Sequence, residues 1–361
     1  MSKKLALILS LGLILLTSNA HADEITLMAV GDVLPHPSWH QIELPVSRLL
    51  AGVSPTFYEA DVVVGNLESP LTDKPDPTES KNPASITAKK DFVFKAEREE
   101  AAQALKDAGF TVLTLANNHM VDYKEAGVQD TVAKLGKAGM VFAGAGANTA
   151  AACKPATVTA KRLEMVFLSA SDVVPKGYEA LPDKPGIASM KDDNVFLDRV
   201  KKARAEHPDA LLVLCLHWGV EATTAPTARQ KDLAHKFIDA GADLILGSHP
   251  HRLQGVEMYN GRPIFYSLGN FQFESKEPGD ESVIAKVVYK DGSHEPEKVS
   301  MSPVIIEPGG SPRVLKATDP EYALILGNMD KMCRTLGVCM KGEAATALQK
   351  AGGGALDYSG T

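Results

Sequence analysis

The sequence predicts an α/β fold, and two patterns carry that prediction. Short apolar runs alternate with amphipathic helical stretches along most of the chain, and several of those helices end at a glycine. The first strand is predicted over Ile25–Val30 and the second over Asp61–Val64. The intervening Thr72–Lys90 is rich in Pro, Lys, Asp and Ser and reads as a long surface loop. A helix over Glu97–Ala108 stops at Gly109, which can take the left-handed backbone that closes a helix, and a strand follows over Val112–Leu115. The same unit recurs as a helix over Glu125–Ala138, Gly139, and a strand over Met140–Ala143. Next come a strand over Met165–Ser169, a helix from Asp193 to Ala205 and a strand over Leu211–Leu216. A helix over Thr227–Ala240 ends at Gly241, and strands follow over Leu244–Leu246 and Ile264–Leu268. Ser282–Tyr289 and Lys298–Glu307 alternate in part and flank Asp291-Gly292, which predicts an antiparallel hairpin added to the sheets. From about Gly309 the chain reads as a polar, irregular tail with one or two short helices and a Gly-rich end. There is no internal repeat.

The ends of the chain bear on its destination. Lys3 and Lys4 precede an uncharged apolar run from Leu5 to Leu16, and Ala20-His21-Ala22 offers small residues at alternate positions. That is the layout of a signal peptide over residues 1–22, with an apolar stretch too short to cross a bilayer comfortably. It predicts an exported protein, periplasmic or extracellular. Removing residues 1–22 takes away two lysines and no acid, moving the formal charge from −7 to −9. So acidic a chain does not advertise nucleic-acid binding. Residues 23–308 suffice for one large domain, with 309–361 as its tail. Of the four cysteines, Cys333 and Cys339 are close enough for a small-loop disulfide in an oxidising compartment. Cys215 sits inside an apolar run and reads as a small core residue, and Cys153 has no nearby partner in sequence.

Chemistry-bearing residues cluster just past the predicted strands. Val30 leads into Gly31-Asp32 and, four residues after the aspartate, His36. Val64 leads into Gly65-Asn66-Leu67-Glu68, and Leu115 into Ala116-Asn117-Asn118-His119. Leu216 leads into His217, and Leu246 into Gly247-Ser248-His249-Pro250-His251. Open α/β folds place their sites at the C-terminal ends of strands. A single histidine there is ordinary, but carboxylates, imidazoles and an amide converging from five strands form the mixed N/O ligand set of zinc, manganese or iron. Pro250 restricts the backbone between two imidazoles, so that they splay toward two metal positions. A metal pair about 3.5–4 Å apart calls for a bridging carboxylate, and Glu68 is the candidate. Such a pair lowers the pKa of a water held between the ions and polarises a substrate oxygen. His119 fits a proton donor to the leaving group. Asp122 either orients that imidazole or begins the following helix as a capping box with Glu125; the two roles are compatible.

Taken together, the strings GDVLPH from Gly31, GNLESPL from Gly65, LANNHMVDYKEAG from Leu115, HWGVE from His217, GADLILGSHPH from Gly241 and YSLGNFQF from Tyr266 resemble the poly-γ-glutamate capsule-synthesis (CapA) family. This is a branch of the calcineurin-like metallophosphoesterase superfamily. The resemblance runs from about Ile25 to Phe273 with the motifs in order. It implies a four-layer α/β/β/α sandwich with a dinuclear centre at the strand ends. By analogy Asp32, Glu68, His251 and His36 would hold one metal, and Glu68, Asn118, His217 and His249 the other. His119 matches the superfamily's acid histidine. The chain departs from the superfamily in two places: His36 lies four residues after Asp32 instead of two, and Glu68 stands where a bridging aspartate is usual. Glu221, Arg252 and Gln254 follow the ligand motifs and are expected at the substrate rim, while Tyr266–Asn270 is expected to pack beneath the site. Lys89, Lys90 and Arg252 are candidates to line a groove for an anionic substrate. The function classes that follow are hydrolysis of a phosphoester, metal-assisted cleavage or transfer of an amide in a γ-linked glutamate polymer, and metal-dependent polymer binding in an export or assembly complex with a membrane synthase.

Overall fold

The computed structural model describes residues 24–35, 44–82, 84, 86, 92–273, 280–290, 292–341 and 354–357. The expected signal peptide, His36, Lys89, Lys90 and the side chain of Cys339 with its proposed pairing fall outside the described residues.

Two large sheets make the frame. The strands, in chain order, are β1 Glu24–Val33, β2 Val62–Leu67, β3 Val112–Thr114, β4 Val141–Ala143, β5 Ala145–Gly146, β6 Ala156–Ala160, β7 Leu163–Ser171, β8 Gly186–Ile187 and β9 Leu211–His217. They continue with β10 Leu244–Ser248, β11 Val256–Tyr259, β12 Arg262–Phe265, β13 Asn270–Gln272, β14 Glu281–Lys290, β15 Pro296–Glu307, β16 Ser311–Val314, β17 Cys339–Lys341 and β18 Gly354–Asp357. The first sheet runs β17-β18-β15-β14-β1-β2-β3-β4, with β13 against the end of β1 and β16 against β15; the second runs β11-β12-β10-β9-β7-β6. β1–β4 are mutually parallel, and so are β7, β9, β10 and β12. The hairpin expected around Asp291-Gly292 is β14–β15, and β14 lies antiparallel to β1.

Strand periodicity of two sends alternate residues into two apolar layers. Ile25, Leu27 and Ala29 of β1, Val62 and Val64 of β2, Met165 and Phe167 of β7, and Leu211, Val213 and Cys215 of β9 share one cluster. Their neighbours Met28, Val63, Val166, Leu168, Leu212 and Leu214 belong to the other, with the helices. The continuous apolar runs in the sequence follow from this burial on both faces.

The helices are α1 Val46–Leu49, α2 Ser54–Phe57, α3 Ala101–Asp107, α4 Lys124–Lys137, α5 Thr149–Ala152, α6 Asp193–Glu206, α7 Ala228–Asp239 and α8 Pro320–Arg334. α3 starts four residues later than the apolar pattern predicts: Glu100 at its N-cap makes no side-chain bond to the free amides, so nothing extends the helix backward. α7 starts cleanly because Thr227 and Gln230 form a reciprocal capping box.

Beyond Gly309 the expected irregular tail gives way to regular structure. β16 pairs with β15, and Pro320 sits in the first turn of a 15-residue helix. Tyr322, Ile325, Leu326, Met329 and Cys333 recur at helical spacing and join the apolar layer between the sheets. No helix among the described residues is long and apolar enough to cross a membrane.

Candidate metal centre

Register sets the site. Asp32 on β1 is level with Asn66 on β2 and with Asn270 on β13. On the other sheet His217 of β9 is level with Ser248 of β10 and Ser171 of β7. Two polar rows therefore cap the apolar layers at the C-terminal ends of the strands. Two motif glycines permit the close approach: a Cβ on Gly31 would lie 1.8 Å from the Gly269 carbonyl oxygen, and one on Gly247 would lie 2.0 Å from that of Tyr266.

The structure brings Asp32, Glu68, Asn118, His217, His249 and His251 to one place. Ligand atoms of Asp32, Glu68 and His251 lie within 4.8 Å of one another, and so do those of Glu68, His217 and His249. Glu68 is common to both sets. Its Oε1 is 3.6 Å from His217 Nε2 and 3.8 Å from His251 Nε2. Asn118 Oδ1 is 2.6 Å from His217 Nε2, and Asp32 Oδ2 is 3.4 Å from His251 Nδ1. His249 and His251 both have left-handed backbone, φ +97° and +53°, around Pro250. Non-glycine residues in that region are strained, and strain of this kind gathers at functional sites.

Neither oxygen of the fully buried Glu68, nor Nδ1 of His249, has a hydrogen-bond partner. Buried polar atoms are rarely left so. A cation between the two triplets would satisfy all of them, so the residues fit metal ions by donor type, burial and unmet bonding capacity.

The electrostatics agree. Burial, followed by the charge on Asp32, pushes the Glu68 carboxyl well above its usual range. Burial drives His217 well down, helped by His249 and His251, and drives His249 down to about 3. Burial also opposes the charged form of His251, but Glu68 and Asp32 outweigh it and raise that imidazole to about 10. Burial and neighbouring charge thus bias Glu68 and His251 toward their protonated forms, a bias that a bound cation would oppose.

The orienting residues escaped the sequence reading. Ser248 Oγ is 3.0 Å from His217 Nδ1, and Asn270 Oδ1 is 2.8 Å from His251 Nδ1. These bonds turn each Nε2 toward Glu68, as second partners of metal-binding histidines do. Asn66 donates to Asp32 Oδ1 at 2.8 Å and is itself held by Asn117. All four lie inside the quoted motif strings, and their level positions across the sheets only appear once register is known.

His119 stands beside the centre with Nδ1 2.7 Å from Asp122 Oδ2. Asp122 orients the imidazole and does not cap α4; the cap position is Tyr123, which makes no side-chain cap bond. Burial lowers the His119 pKa against the opposing charge of Asp122, whose own carboxyl is held down by His119 and Lys81 despite burial. Phe94 lies over His119 at 4.4 Å and meets Phe273 edge-on, which in turn flanks His251.

Of the expected rim, Glu221 is exposed and reaches to within 4.8 Å of His249 and His251. Arg252 is half-buried and donates to the His251 carbonyl. Gln254 is not at the rim. It is buried and spends its amide on Gln230, Thr223 and Ala225, bracing the loop that carries Glu221.

Two apposed sheets with buried carboxylates and imidazoles gathered at their strand ends define an α/β protein whose donor set fits metal ions. The sequence profile described as bacterial capsule synthesis protein PGA_cap matches residues 26–275, and the chain belongs to that family. It is 35% identical over 258 residues to the capsule biosynthesis protein CapA of Bacillus anthracis, covering 70% of this chain and 60% of that one. It is 36% identical over 223 residues to the PGA biosynthesis protein CapA of Bacillus subtilis, covering 62% and 56%. A probable polyglutamine synthesis accessory protein of Mycobacterium tuberculosis is 34% identical over 167 residues, 44% of each chain. The chain thus spans little more than half the length of the Bacillus relatives.

Proposed function

We propose that this chain is an exported, metal-dependent hydrolase-type protein acting on poly-γ-glutamate or a related cell-envelope polymer. The observation that carries the reading is Glu68: a buried carboxylate with two unpartnered oxygens, shared by two ligand triplets. Asp32, Glu68 and His251 would hold one divalent ion, with His36 as a further donor, and Glu68, Asn118, His217 and His249 a second. Two such ions, manganese, iron or zinc, would supply an activated water and a Lewis acid at the bond to be cut.

The chain's own residues do the rest. Asp122 fixes the ring of His119, which presents a proton to the leaving group. Phe94 and Phe273 wall one side of the centre with apolar surface and keep bulk water from His119 and His251. Arg252 at the rim offers a cation to an acidic polymer. The alternation of β1, β2, β7 and β9 between two apolar layers supports the four-layer α/β/β/α arrangement, and the N-terminal Lys-apolar-Ala pattern supports export to the periplasm or the exterior, beside a membrane synthase.

Elemental analysis of the purified chain beside His249→Ala is the first test; about two equivalents of metal falling sharply in the variant are expected. Metal-loaded protein should then shorten poly-γ-glutamate, read by size-exclusion chromatography, or turn over phosphoesters. No change in either substrate sinks the hydrolytic reading. A second reading is favoured by the relatives' names, which describe synthesis and not breakdown. Here the centre would bind the polymer's carboxylates in assembly or export. Metal-dependent polymer retention that survives His119→Ala, without turnover, would establish it.

A further inference from the structure

Lys81 is the one buried lysine among the described residues, 5% exposed. It comes from the Pro-rich segment that the sequence presents as a surface loop. The stretch 72–81 of it is pinned along its length. The Thr72 amide donates to the Ala96 carbonyl, the Thr72 hydroxyl to Asp130, and the Thr78 amide to the Asp122 carbonyl. At its far end Lys81 Nζ lies 2.6 Å from Asp122 Oδ1, 2.8 Å from the Phe92 carbonyl oxygen and 3.0 Å from His119 Nδ1.

The carboxylate of Asp122 is completely engaged. Oδ1 receives Lys81 and the Tyr178 hydroxyl at 2.7 Å; Oδ2 receives the Phe94 amide at 2.7 Å and faces His119 Nδ1. Lys81 links three of these parts. It anchors Asp122, it anchors the backbone just before Phe94, and it touches the ring that Phe94 covers. An ammonium taken out of water needs such partners, because burying it unpaired is costly. The rest of the segment reaches this group indirectly, through the Thr78 amide on the Asp122 carbonyl and through Thr78 and Ser80 at Tyr178. A helix N-cap or a core contact would not call for a cation there.

We propose that Lys81 is a positioning residue for His119: through Asp122 and the Phe92 carbonyl it locks the imidazole with Nδ1 turned inward and Nε2 left for the substrate. The kinetic part of this rests on the reading of His119 as proton donor; the orientation itself does not.

The test uses the full mature chain with zinc, which is diamagnetic, comparing wild type, Lys81→Met, Lys81→Gln and Lys81→Arg. The side-chain nitrogen NMR spectrum of His119, assigned with His119→Gln, reports the ring's tautomer directly. A single fixed tautomer in wild type, giving way to averaged or shifted signals in Lys81→Met and recovering in Lys81→Arg, is the expected result. Where turnover is found, kcat should fall about 10- to 100-fold in Lys81→Met, with KM changed far less. Metal content should stay unchanged. If the wild type has no turnover on polymer or phosphoester, the hydrolytic reading fails while the spectrum still decides for Lys81. A His119 spectrum unaltered in folded Lys81→Met overturns the proposal. So does failure of both neutral variants to fold while Lys81→Arg folds normally, since the charge would then serve stability alone.

Discussion

Glu68 and Asp243 are both buried carboxylates placed next to a strand, at opposite ends of the sheets. Asp243 precedes β10, at the N-terminal end, and is saturated. The Leu212 amide donates to its Oδ2 at 2.9 Å, Arg204 pairs with the same oxygen, and Arg262 and His294 approach Oδ1 at 3.3 and 3.5 Å. Glu68 follows β2, at the C-terminal end. Both its oxygens lack a partner, and its surroundings are a second carboxylate and imidazoles. One end of the molecule uses buried charge to tie loops together; the other holds charge in reserve. The difference shows how a structural carboxylate is told from a binding one: by whether its bonding capacity is already spent.

The largest effects should separate the two ends. Asp243→Ala removes the acceptor of the Leu212 amide and the carboxylate partner of Arg204, which keeps its bonds to the Gly241, His207, Pro208 and Ala210 carbonyls, and should cost about 1.5–3 kcal/mol in urea unfolding, with metal content per folded molecule unchanged. Loss of metal in that variant while the fold persists would break the comparison. Glu68→Gln should do the reverse. It should weaken manganese binding by more than the roughly 10–100-fold that removal of an orienting partner causes, and leave metal-free stability intact or improved. Next in size come those partners themselves. Ser248→Ala and Asn270→Ala should each lower metal affinity about 10–100-fold in a calorimetric titration, because His217 and His251 lose the bonds that aim their Nε2 atoms.

How much of this was legible in the sequence depends on what each residue needed. The candidate ligands were legible because their chemistry is unusual and each follows an apolar strand: Asp32, Glu68, His217, His249 and His251 lie close together at the strand ends. The orienting residues were not, since an asparagine such as Asn270 acquires meaning only from lying level with Asp32 across β1 and β13. Lys81 was hidden for another reason. A lysine among prolines and serines reads as solvated surface, and only the tertiary path of that loop carries it to Asp122. The β11–β12 hairpin was available and missed: Asn260-Gly261, at φ +49° and +74°, is the turn that joins two short alternating runs. The start of α8 at Pro320 was likewise written in the sequence, but the polar residues around it masked a buried stripe.

Acidity distinguishes the two states of the centre. In chelated protein His251 is raised to about 10 from the usual 6.5, so its contribution to stability is complete below about pH 6.5 and is lost as the pH rises through 10. Glu68, raised above 4.5, has the same sign: the folded state keeps a proton that the unfolded chain releases, and stability falls as the pH climbs past that value. Asp122, held low, acts oppositely; its contribution is present above the usual carboxylate range and disappears in acid. Melting curves of chelated protein should therefore decline on the alkaline side, whereas added manganese should restore stability there by supplying the positive charge that the departed protons no longer provide. An alkaline decline that manganese leaves unaltered would separate these groups from metal binding.

The smallest effect probes the border between the two regimes. Thr227 caps α7 through Gln230, Gln230 donates to Gln254, and Gln254 braces the loop bearing Glu221. Thr227→Ala should cost about 1 kcal/mol, the usual worth of an N-cap, measured by urea unfolding. Metal content should stay at the wild-type level if Glu221 is only a rim residue, because the hydrogen bond that ties its loop to the ligand segment, from the Ala222 amide to the Pro250 carbonyl, involves backbone alone. A fall in metal content in a folded Thr227→Ala protein would instead place Glu221, within 4.8 Å of His249 and His251, among the groups that hold the ions. That result would also account for the strain at those two histidines: their left-handed backbone would be what brings both imidazoles within reach of a third carboxylate.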